Sequence, residues 1–89
     1  MRSIITVVGK DTVGILASVS VLCAKHEVNI IEVSQSILQE MFCMIMLVDV
    51  SKCNVEFTAF AEEAEKLGEN KALKINVMHE DIFNSMHRI

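Results

Sequence analysis

A β-branched stretch, Ser3 to Val8, gives way at Gly9-Lys10-Asp11-Thr12-Val13-Gly14 to an amphipathic segment, which ends just before Val28-Asn29-Ile30 opens a second β-rich stretch. No other feature constrains the fold as strongly, because it commits the first third of the chain to strand, helix and strand. Ser3-Ile4-Ile5-Thr6-Val7-Val8 is too short and too β-branched for a helix and reads as a buried central strand. From Val13 to about His26 the apolar residues Ile15, Val19, Leu22 and Cys23 recur at helical spacing, while Ser18 and Lys25 fall elsewhere. Asp11 or Thr12 is the expected N-cap. A helix begun this way leaves its first backbone N–H groups without intrahelical partners and has the positive end of its dipole behind them. That is a cradle for a small anion, such as the carboxylate of an amino acid.

The remaining two thirds continue the alternation. Val28 to Gln39 and Met41 to Val50 flank Glu40 and predict a hairpin. Asn54 is the expected cap of a second helix with Phe57, Phe60, Ala61, Ala64 and Leu67 on one stripe, and Gly68 its expected end. Leu73, Ile75 and Val77 alternate with Lys74, Asn76 and Met78, as in a strand wet on one face. Ile82, Phe83, Met86 and Ile89 suggest a short last helix. The order βαββαβ with right-handed crossovers puts both main helices on one face of a four-stranded antiparallel sheet, an α+β, ferredoxin-like sandwich with the second and fourth strands at the edges. The third strand is apolar on both sides, with Phe42, Met44, Met46 and Val48 facing one way and Met41, Cys43, Ile45 and Leu47 the other. One side meets the helices. The other asks for cover that a single copy supplies poorly, so a homodimer or larger assembly is expected.

Composition narrows the function classes. A chain of 89 residues is expected to form one domain, residues 1–89, near the size where burial is marginal, and 52% hydrophobic content is high for so small a body. Both facts again favour an oligomer. Twelve acidic against eight basic residues give a net charge of −4, with no basic cluster, which argues against nucleic acid and anionic membranes as partners. The longest purely apolar run, Met41 to Val48, is far short of a bilayer span. Three irregularly spaced cysteines, Cys23, Cys43 and Cys53, read as reduced thiols, and a cytoplasmic location is expected.

Asp11-x-x-Gly14-Ile15 has a plain reading as a strand-to-helix turn in which Gly14 permits close packing and Asp11 caps the helix. Its functional reading adds a ligand carboxylate on the N–H groups near Gly14 and Ile15, and an ammonium group on Asp11. Asn29 likewise either turns the chain from helix into strand or uses its amide to hold the amine and carboxylate of an amino acid together. Asp11-x-x-Gly14-Ile15 followed by Asn29-Ile30, with Ile4 to Asp11 before and Ser34-Gln35 after, resembles the ACT domain, and more closely the free-standing single-ACT-domain proteins of bacteria and archaea. The resemblance implies that the glycine loop and the asparagine meet across a subunit interface to bind an amino acid, which nominates Asp11, Gly14, Ile15, Asn29 and Ile30. It also implies a regulated partner protein. Gly9 stands where a histidine is often found in serine-binding members and Asp11 where an asparagine is usual, which removes two polar groups and adds a negative charge.

Other constellations point less far. Cys23-x-x-His26 presents two metal-ligand types on one helix face, but Cys43, Cys53, His79 and His87 supply no second pair at ligand spacing, so neither metal nor cofactor is expected. Met41, Met44 and Met46 read as soft packing. Glu62, Glu63 and Glu65 read as a solvated helix face, and Ser34 and Ser36 have no histidine at a partner position. The expectation is a non-catalytic regulatory module that binds an amino-acid-like ligand, with a ligand-free assembly subunit as the alternative.

Overall fold

The computed structural model describes residues 1–10 and 14–86. Its elements are β1 (Arg2–Gly9), α1 (Ile15–Lys25), β2 (Asn29–Leu38), β3 (Met41–Asp49), α2 (Phe57–Asn70), β4 (Lys74–His79) and α3 (Glu80–Met86). The four strands form one antiparallel sheet in the order β2-β3-β1-β4, with β2 and β4 at the edges as the crossover rule requires. Asp11 and Thr12, the expected caps of α1, and Ile89 lie outside the described residues.

Register explains the layers. Ile5 pairs with Met46 and Val77, and Val7 with Met44 and Ile75, so these side chains share one face. That face joins Ile15, Val19, Leu22 and Cys23 of α1 and Phe60 and Ala64 of α2 in a single core. The four α1 residues are those that the helical spacing selected. On the opposite face Ile45 is 42% exposed, Val8 37% and Leu38, at the hairpin end, 68%, while Ile37, paired with Phe42 and so on the helix side, is 71% exposed. The short α3 packs against β1 and β4, and an ion pair of 2.8 Å from Arg2 to Glu80 ties its first residue to β1.

Two turn chemistries differ from expectation. Asn54 does not cap α2, which begins at Phe57 after an extended Glu56 with no side-chain cap. Asn54 instead serves the far end of α1: its side-chain Nδ2 donates to the Lys25 carbonyl at 3.1 Å, and its backbone N–H donates to the His26 carbonyl at 3.1 Å. Those carbonyls are among the ones a helix end leaves without partners. Gly68 does not end α2, which continues to Asn70. The left-handed residue that turns the chain is Ala72, at φ 56°. Gly68 is needed because α2 there crosses β4 so closely that a Cβ would lie 2.8 Å from the Leu73 carbonyl oxygen and 2.9 Å from Ile75 Cγ1.

Candidate functional site

α1 starts from Gly14, whose φ of 73° and ψ of 6° are left-handed, and no side chain among the described residues caps the helix there. Among the described residues, its chain neighbours aside, no atom lies within 4 Å of where its Cβ would be, so the backbone angle and not close packing against these residues calls for glycine. The first helical bond is from the Ser18 N–H to the Gly14 carbonyl at 2.9 Å, which leaves the N–H groups of Ile15, Leu16 and Ala17 ahead of the ladder. The Ile15 side chain points away from this mouth into the core, at 2% exposure. Its contribution to a site is therefore its backbone N–H. Asp11 lies outside the described residues.

Asn29 and Ile30 stand at the other end of α1. Asn29 opens β2 opposite Asp49 and is exposed, and Ile30 is half-buried opposite Val48. An α-helix rises about 1.5 Å per residue, so the length of α1 separates Asn29 from the Gly14 mouth by about 16 Å. One copy brings Gly14 together with Ile15, and Asn29 together with Ile30, but not the two pairs with each other.

Asn29 lines a cleft of about 340 Å³ with Glu27, Asp49, Ser51 and Lys52. The cleft is rich in acceptors and already holds an ammonium group: the chain's own N-terminal nitrogen donates to Ser51 Oγ at 2.6 Å and lies 3.5 Å from Asp49 Oδ1. The hydroxyl and backbone N–H of Ser51 both donate to Asp49 Oδ1, at 2.5 and 2.8 Å, and hold its carboxyl below the usual carboxylate range. Asp49 and Ser51 carried no signal in the sequence, since the N-terminus joins them only once β1 and β3 pair.

A second cluster also escaped sequence reasoning. His26 is 8% exposed, and its two ring nitrogens both meet acceptors: Nδ1 lies 2.9 Å from Asn54 Oδ1, and Nε2 bonds to Glu63 Oε2. The Asn54 amide is oriented by its bond to the Lys25 carbonyl, so its oxygen faces the ring. Lys25 Nζ sits 3.0 Å from the other oxygen of Glu63. With no acceptor role left to either nitrogen, the imidazolium form is favoured. The Asn54 and Glu63 bonds accordingly raise the His26 pKa above 6.5. This uses up His26 as a partner for Cys23, whose thiol is pushed up to about 11, first by burial and then by Cys53. Among the described residues no three His, Cys, Asp or Glu side chains converge as metal ligands.

A raised folded-state pKa makes the His26 contribution fully present below about 6.5 and lost as pH rises through the folded value. Glu63, lowered chiefly by its bond to His26, contributes in the opposite sense and is lost as pH falls through its own depressed value. Thermal melts are therefore expected to show a higher Tm near pH 6 than near pH 9. His26→Gln should flatten that slope, and an equal slope in the variant would show that other groups carry it.

The family model for the ACT domain matches residues 2–78. The chain is 44% identical over 88 residues to a UPF0237 protein of Methanocaldococcus jannaschii, covering 99% of this chain and 98% of that one. Among solved structures it is similar to an ACT domain protein from Streptococcus pneumoniae, with a TM-score of 0.82, 42% identity and 93% of each chain covered. A formyltetrahydrofolate deformylase from Pseudomonas syringae shares the fold over 27% of its own length, at a TM-score of 0.77 and 23% identity. No helix among the described residues is long and apolar enough to cross a membrane. With the βαββαβ sheet and helices in place and the family model spanning nearly all of them, the chain belongs to the ACT domain family.

Proposed function

We propose that this ACT domain, a regulatory ligand-binding module by family, is a non-catalytic sensor that binds an amino-acid-like zwitterion between two copies of the chain and reports its occupancy to a partner protein. The observation that carries the reading is the start of α1: a left-handed Gly14 with no side-chain cap among the described residues, and three N–H groups ahead of the helical ladder. A ligand carboxylate satisfies those groups and the helix dipole together. Asn29, some 16 Å away along α1 in the same copy, comes within reach of that ligand only from a neighbouring copy. The exposed Ile45, Ile37 and Leu38 give a second copy apolar surface to cover. A ligand held by both copies stabilises the assembled state by its differential affinity for it, which is what allosteric signalling requires.

Thermal-shift screening of the twenty amino acids, followed by calorimetry, tests the reading. A bound amino acid at a hundred times its Kd stabilises by about 2.7 kcal/mol, or a Tm rise of about 10 °C or more. The shift should vanish in Asn29→Ala and Gly14→Val, and light scattering should return a dimer or larger. No stabilisation by any amino acid at millimolar concentration would overturn it.

A further inference from the structure

The end of the sheet where β1 leaves and β4 enters carries a cavity of about 710 Å³, remote from Asn29. Its apolar wall comes from Val8, Met41 and Leu73, and three lysines, Lys10, Lys71 and Lys74, line it as well. Backbone geometry gathers them. Val8 pairs with Lys74, which brings one lysine beside the apolar end of β1. Gly9 has no Cβ to collide with Leu73 Cδ2, so Leu73 lies over the strand end. The left-handed turn at Ala72 then swings Lys71 to the same side.

Charge is what makes this cavity unusual. A chain of net charge −4 places three of its eight Lys and Arg residues here, and no carboxylate is among the described residues that line it. Glu65 and Glu69 share an adjoining cleft with Lys74, yet neither is in an ion pair with it. Like charges lining one cavity with no ion-pair partner among the described residues repel, and an anion relieves that repulsion. The volume lies within the range of small-molecule sites, and the wall is apolar enough to bury a hydrocarbon body.

We propose that this cavity binds a small amphipathic anion: one carboxylate or phosphate head set among the three lysines, and an apolar body against Val8, Met41 and Leu73. The site lies within one copy and uses neither Asn29 nor Gly14, so it stands or falls apart from the amino-acid site.

The test is a titration of the full-length protein with octanoate, followed by ¹H–¹⁵N correlation spectra. Saturable shifts are expected at the amides of Gly9, Leu73 and Lys74. Octyl phosphate should move the same amides, whereas inorganic phosphate and octylammonium should bind at least about tenfold more weakly, since each lacks one half of the recognised chemistry. Lys71→Gln and Lys74→Gln should each weaken octanoate about tenfold, the value of one charge-assisted contact. Lys66→Gln and Asn29→Ala should leave it unchanged. Octylammonium binding as tightly as octanoate, shifts that never saturate, or lysine variants that bind octanoate as well as the parent would each overturn the proposal.

Discussion

Phe60→Ala is expected to cost about 3–5 kcal/mol, the largest loss from any single truncation in this fold. Phe60 is fully buried and is the largest such side chain. It sits on α2 where that helix meets the sheet, in the same core as Ile5, Met44 and Met46. Its ring also stands edge-on to His26, with centroids 5.9 Å apart at 87°, so the truncation opens a cavity and strips one wall from the His26–Asn54–Glu63 cluster. Small domains have about 5–15 kcal/mol in total, and each kcal/mol shifts Tm by about 4–8 °C at this size. A Tm fall of at least about 12 °C is therefore expected, with urea denaturation giving the free energy directly. A loss below about 1 kcal/mol would mean that α2 does not carry the core as described.

Gly68→Val comes next, with an expected cost of about 1–3 kcal/mol from overpacking. The obstacle is backbone: the new Cβ would stand 2.8 Å from the Leu73 carbonyl oxygen, which no rotamer change can move. That carbonyl follows the turn whose Leu73 N–H donates back to the Gly68 carbonyl at 2.8 Å, so helix end and strand start cannot separate without losing the bond. Ala72→Gly is the informative counterpart, because φ 56° at Ala72 is strained for any residue with a side chain. It should be neutral or stabilising. If Gly68→Val were neutral and Ala72→Gly destabilising, the roles of the two positions would be reversed.

These two positions also show where sequence reasoning reached its limit. A glycine late in an amphipathic helix reads as a C-terminal signal, and nothing local distinguishes that from a glycine required by a crossing strand. Asn54 follows the same logic: its capping chemistry is real but is spent on the end of α1, a contact made only after folding. Patterns that depend on one element alone were legible. The four buried residues of α1, the two-sided β3 and the edge positions of β2 and β4 all follow from periodicity and crossover handedness. The hairpin was placed by its flanks, since Gln39 and Glu40, at φ 51° and 70°, have none of the usual residues for a left-handed turn.

The candidate site was legible in its parts. Gly14 and Asn29 stand at helix and strand starts as the sequence suggests, but the proposed relation between them runs through a second copy and would leave no trace in one chain's spacing. The acceptor cleft of Asp49 and Ser51 depends on β1 pairing with β3, and the lysine cavity on a turn whose left-handed residue is an alanine.

Complementation between copies tests the central claim most directly. Gly14→Val removes the helix mouth and Asn29→Ala the amide, so neither variant alone should bind the amino acid that the parent binds, provided each keeps the parent's circular dichroism. When the two are unfolded, mixed in equal amounts and refolded, random pairing makes about half the dimers mixed, each with one intact site of two. Calorimetry should then recover about a quarter of the parent's sites at the parent's affinity. A mixture that binds no ligand, or a single variant that binds it unaided, would contradict a site shared between copies.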